Sequence, residues 1–109
     1  MTEADLSKYF WLVKEIETME KELNDTYEDD ELTKTRKVIL DKKMKTAARE
    51  LLTIEDFLES LEDPEMRLIF RLRYCLRMTW EAIGCEVHMH HTTVLRKHRA
   101  FLKAAQNAQ

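Results

Sequence analysis

A chain of 109 residues, 44% apolar and 36% charged, has room for one compact domain or for a small domain with a helical extension. One Gly and one Pro leave little for tight turns, so an all-α fold is expected. No apolar run approaches the roughly 18 residues of a membrane span, and the acidic start Met1-Thr2-Glu3-Ala4-Asp5 lacks a signal-peptide layout. Cys75 and Cys85, without Cys-x-x-Cys spacing, fit a reducing cytoplasm rather than a disulfide scaffold. The formal net charge of −3 hides a split. From Met66 to Gln109, eight Lys/Arg face two Asp/Glu, whereas residues 1–65 carry ten against nineteen. A cationic end joined to an anionic one points to nucleic-acid contact at the former and to self-association or protein contact at the latter.

The first helix opens on Thr2, three residues before Asp5, a capping-box spacing that satisfies orphan backbone donors. Leu6, Tyr9, Val13, Ile16, Glu20, Leu23 and Tyr27 then alternate by three and four, a heptad seam with one acid in it, widened by Phe10, Trp11, Leu12 and Met19. The polar, acidic stretch 24–30 is expected to be a loop or a frayed end. A second helix carries Leu40, Met44, Ala47, Leu51, Ile54, Leu58 and Leu61 in the same rhythm. Two such helices form an antiparallel hairpin within one chain or a coiled coil between two. A chain this short of other core favours a homodimer through Leu6, Tyr9, Val13, Ile16, Leu23, Leu40, Met44, Leu51 and Leu58.

Glu62-Asp63-Pro64-Glu65 is the clearest boundary, dividing an acidic helical segment (1–62) from a C-terminal module (63–109). Pro64 suits the first position of a new helix, with Asp63 as its cap. That third helix is predicted from about Glu65 to Leu76. Thr79 then caps a short helix from about Trp80 to Glu86, Val87-His88-Met89 turn, and a last helix runs from about His91 to Ala105. Trp80, Ile83, Val87, Met89 and Val94 are the residues expected to hold the pair together. Gly84, intrinsically about 1 kcal/mol worse than Ala within a helix, suggests a close approach there. This is the spacing of a helix-turn-helix, whose second helix enters the major groove by its N-terminal residues.

The chemistry of that last helix suits DNA. His90, His91, Thr92 and Thr93 are short polar groups able to reach base edges, and a helix N-terminus favours phosphate. Arg96 can bond a guanine edge bidentately or clamp a phosphate. Lys97, Arg99 and Lys103 suit phosphate contact, and Arg71 and Arg77 could reach flanking phosphates. A merely solvated helix face would look similar, most of all at Lys103. Cys85, His88, His90 and His91 lie within seven residues, but no second ligand cluster completes a zinc spacing, so no metal or other cofactor is expected. His98 falls on the side away from the base-reading residues. The sequence has no phosphate loop, nucleophile–base pair or acidic metal cluster that would indicate an enzyme.

From Asp63 to Leu102 the chain resembles the region-four domain of bacterial sigma factors, as found in small phage and prophage regulators. The resemblance rests on Asp63-Pro64-Glu65-Met66-Arg67, Arg71-Leu72-Arg73-Tyr74, Thr79-Trp80-Glu81-Ala82-Ile83 and Thr92-Thr93-Val94-Leu95-Arg96-Lys97-His98. It implies a cytoplasmic, prophage-encoded transcription regulator that binds double-stranded DNA at a promoter and touches RNA polymerase or another protein. By position, His90, His91, Thr92 and Arg96 match the family's base-facing sites. Two residues depart from the pattern: His88 stands where the turn holds Gly, and Gly84 where the family has Ala. A phage protein-interaction factor (a polymerase modulator or counter-defence protein) and a DNA-packaging recognition subunit are the alternatives on the same fold.

Overall fold

A computed structural model describes residues 1–25 and 30–107 as five α-helices and one π-helical turn, with no strand among them. The helices are α1 (Glu3–Asn24), α2 (Glu31–Glu59), α3 (Pro64–Phe70), α4 (Trp80–Val87) and α5 (His91–Asn107), and the π turn Arg71–Cys75 continues α3. The loop expected over 24–30 falls largely on 26–29, which with Tyr27 lies outside the described residues.

Helix starts follow local chemistry. The Thr2 hydroxyl accepts the Asp5 N–H at 3.1 Å while the Asp5 carboxylate accepts the Thr2 N–H at 3.0 Å, a complete capping box. Asp30 caps α2 through the Thr33 N–H (2.7 Å), Asp63 caps α3 with Pro64 at its first position, and Thr79 caps α4 through the Ala82 N–H (3.1 Å).

The heptad seams meet within one chain. α1 and α2 lie antiparallel: Tyr9 is bonded to Glu55, Leu12 and Ala47 line one cleft between the helices, and Met19 and Leu40 line another. The positions assigned above to a homodimer line this hairpin. Leu6 and Leu58 are fully buried, and Tyr9, Ile16, Leu40, Met44 and Leu51 pack half-buried against the same core. Val13 and Leu23 are also half-buried.

The expected third helix runs to Cys75 but changes type along the way. α-Helical geometry stops at Phe70, and the Leu76 N–H bonds back five residues to the Arg71 carbonyl at 3.2 Å. Leu72 and Tyr74 of this widened turn are buried. The next reversal places Arg77 in the left-handed region (φ 55°), with the Met78 N–H on the Leu72 carbonyl at 3.0 Å.

One contiguous core joins hairpin and C-terminal module, from Leu6, Leu12 and Met19 through Ile54 and Leu58 to Ile69, Phe70, Ile83, Val94 and Leu102. Beyond it the hairpin projects. The molecule measures 57 × 31 × 19 Å, and its radius of gyration is 18.0 Å, against about 13 Å for a compact chain of this length. No helix of the described residues is long and apolar enough to cross a membrane.

Candidate nucleic-acid interface

α4 and α5 pack across a three-residue turn, His88 to His90. His88 closes α4 in the left-handed conformation (φ 58°, ψ 43°), and the Met89 N–H returns to the Gly84 carbonyl at 2.9 Å. The turn thus keeps the geometry that glycine gives at lowest cost, with a histidine in its place. The close approach expected at Gly84 is present. A Cβ added there would sit 2.5 Å from the Met89 carbonyl oxygen and 3.2 Å from the His91 nitrogen. Ile83 and Val94 are fully buried between the two helices, with Trp80, Val87 and Met89 partly buried around them.

α5 divides into two faces. Val94, His98 and Leu102 point into the core. At about 100° per residue, Thr92, Arg96, Arg99 and Lys103 fall within roughly 60° of one another on the opposite side, and all four are exposed. Among the described residues, Arg96, Arg99 and Lys103 have no hydrogen-bond or ion-pair partner. At the leading edge His90 caps the helix. Its Nδ1 accepts the Thr92 N–H at 3.3 Å and lies 2.8 Å from the Thr92 hydroxyl, and its ring stacks on His91 at 4.3 Å. Thr93, half-buried, donates its N–H to the His90 carbonyl at 3.0 Å.

Other cations named from the sequence have local occupations. Lys97 donates to Glu65 at 3.1 Å. Arg71 reaches back to α2 and pairs with Glu55 at 2.8 Å, where the Tyr9 hydroxyl also donates. Those two donors hold the Glu55 carboxyl below the usual carboxylate range. Arg77 lies over Phe10 at 4.2 Å and near Trp11 at 5.4 Å. Arg73 donates to the Met78 carbonyl at 3.0 Å and covers Trp80 at 4.4 Å, so it fastens the loop before α4. The outer face of α5 is therefore the coherent part of the expected set, and Arg71, Arg77 and Lys97 stand apart from it.

The buried side of α5 is anchored by His98. The Tyr74 hydroxyl lies 2.6 Å from its Nε2, Phe70 and Trp80 rings enclose it, and Glu3 of α1 approaches Nδ1 at 3.7 Å. Burial lowers the His98 pKa to about 4, so the ring is neutral near pH 7. α1 thus meets α5 at His98, on its inner face, and near the end of α5 the Gln106 amide donates to the Met1 carbonyl at 3.1 Å. Among the described residues no three His, Cys, Asp or Glu groups come together as a metal site.

Sequence reading missed one feature. Dividing the charge by halves concealed a cationic stretch inside the acidic segment: residues 34–49 of α2 hold seven Lys/Arg against Asp41 alone. The signal was present in a shorter window.

Neither the curated proteins nor the solved structures contain a match to this chain. One family profile, described as "Protein of unknown function (DUF722)", matches residues 11–107, a span running from α1 to the last residue of α5. The chain belongs to the DUF722 family.

Proposed function

We propose that the chain is a sequence-specific, duplex-DNA-binding transcription regulator of phage or prophage type, acting in the cytoplasm, with the N-terminal half of α5 in the major groove. The observation carrying this reading is the outer face of α5: Thr92, Arg96, Arg99 and Lys103 are exposed and aligned, and among the described residues the three cations have no ion-pair partner. A hydroxyl and a guanidinium near the helix start can read base edges, and cations further along meet phosphates. The rigid backing such a helix needs comes from Val94, His98 and Leu102 in the core. The resemblance of Asp63–Leu102 to sigma region four supports the same reading, and so does the left-handed turn kept at His88. A homodimer is part of this proposal, formed through surface other than the heptad positions that pack within the hairpin.

Selection from random duplex DNA with the purified protein tests this. Recovery of a motif is expected, and absence of enrichment at low salt overturns it. A protein-contact role is the second reading. It is favoured by one observation: Trp11 of α1 and Leu76, beside Arg77 in sequence, are 63% and 67% exposed, and Arg77 lies over the rings of Phe10 and Trp11. RNA polymerase or another protein would be the partner there.

A further inference from the structure

The densest positive charge in the molecule lies outside α5, on α2. The helix turns Leu40, Met44, Ala47, Leu51, Ile54 and Leu58 toward α1 and the core. On its opposite side Val38, Lys42, Lys45, Arg49 and Leu52 follow at steps of four, three, four and three, all exposed. Of the three cations, Lys45 has an acid beside it, Asp41 at 3.0 Å, in a pair more than half exposed. Among the described residues, Lys42 and Arg49 have no ion-pair partner.

We infer that this outward face of α2 is a second binding surface for the phosphate backbone of duplex nucleic acid, one that holds the polymer without reading its sequence. Three arguments choose this occupant. The three cations span about 10 Å along the helix at 1.5 Å per residue, a linear array that suits a strand of phosphates. A partner helix would need an apolar residue at nearly every turn of the stripe. Here only its two ends, Val38 and Leu52, are apolar, about 21 Å apart by the same rise. A second copy of this chain placed face to face would set Lys and Arg against Lys and Arg. A polyanion meets none of these objections, and release of its counterions supplies the driving force. The inference shares with the preceding proposal the premise that the ligand is duplex nucleic acid, but it places contact on a different helix.

The test uses the full chain and a labelled 30-base-pair duplex of random sequence, titrated across a salt series. Three proteins are compared: wild type, K42Q/K45Q/R49Q on α2, and R96Q/R99Q/K103Q on α5. All six positions are exposed, and unchanged helical circular dichroism verifies folding. Each phosphate contact contributes about 0.9 to the log–log salt slope, so the α2 variant is expected to bind with a slope shallower by about 2 to 3 and with affinity at least tenfold lower at low salt. An α2 variant indistinguishable from wild type overturns the inference. If the α5 variant then loses binding, the regulator reading survives alone. If instead the α2 variant loses binding while the α5 variant keeps it, the inference stands and the regulator reading loses its recognition helix. A wild-type protein that does not bind at low salt overturns both.

Discussion

The Tyr74 hydroxyl and His98 Nε2 lie 2.6 Å apart inside the core, where the π turn meets the helix proposed to read DNA. His98 is completely buried, and its Nδ1 has no hydrogen-bond partner, with the Glu3 carboxylate 3.7 Å away. This pair fixes the rotation of α5 about its own axis, and hence which side chains face outward.

The pair makes stability depend on pH. The folded His98 pKa is depressed to about 4, below the ordinary value near 6.5. Between those values the unfolded chain binds the extra proton, so stability rises with pH across that window and is complete above it. From pH 7 to pH 5 the loss attributable to His98 is about 2 kcal/mol. Urea unfolding at the two pH values measures it, and His98→Gln should flatten the difference. Equal loss in that variant would place the acid sensitivity elsewhere.

Gly84→Ala should destabilise the protein despite the better helix propensity of Ala. The new methyl would meet the Met89 carbonyl oxygen at 2.5 Å, and that oxygen belongs to backbone. Overpacking of this kind costs about 1–3 kcal/mol, more than the roughly 1 kcal/mol returned by propensity. A lower melting temperature is expected, and a rise would mean that α4 and α5 can separate slightly without penalty.

His88→Gly should stabilise. A non-glycine residue in the left-handed region carries about 1 kcal/mol of strain, and the His88 side chain is exposed, so little packing is lost. The greater freedom of glycine in the unfolded chain offsets part of the gain. The melting temperature should increase by a few degrees, with DNA affinity unchanged if His88 makes no contact there.

Glu55→Gln removes the charge that joins α1, α2 and the π turn. Tyr9 and Arg71 both donate to this carboxylate, whose side chain is 27% exposed. A loss of about 1 kcal/mol is expected, since the pair is partly exposed and solvent screens it in part. Its sign with pH follows from the lowered Glu55 pKa: the contribution is present above the ordinary carboxylate value and disappears as pH falls through the folded one. Denaturation of the variant at pH 7, compared with wild type, checks the magnitude.

Arg96→Ala should relax discrimination at one base position, by about 1–3 kcal/mol, while leaving other positions intact. Binding measured against single-base variants of a selected site separates the two roles open to Arg96. Uniform weakening would assign it to phosphate.

Much of this architecture was legible because it is written locally. Thr2, Asp63 and Thr79 announce helix starts through bonds to residues two or three positions on, Pro64 marks the first position of α3, and the structure uses each of them. Gly84 signalled close packing because nothing else explains a glycine inside a helix. What stayed hidden depends on residues distant in sequence. Arg71 looked free until the fold placed Glu55, sixteen residues earlier, beside it. The seams alone could not choose between one chain and two, since heptad spacing is the same in either case. Nor did His98 reveal a partner twenty-four residues away.

The π turn Arg71–Cys75 has a further consequence. Its backbone bonds span five residues rather than four, and it is from this register that Tyr74 meets His98. Deleting a single residue from it would let ordinary helix continue, but would swing the tyrosine around the axis and strand the imidazole. Variants of this protein that gain or lose length should therefore leave this five-residue spacer at constant length.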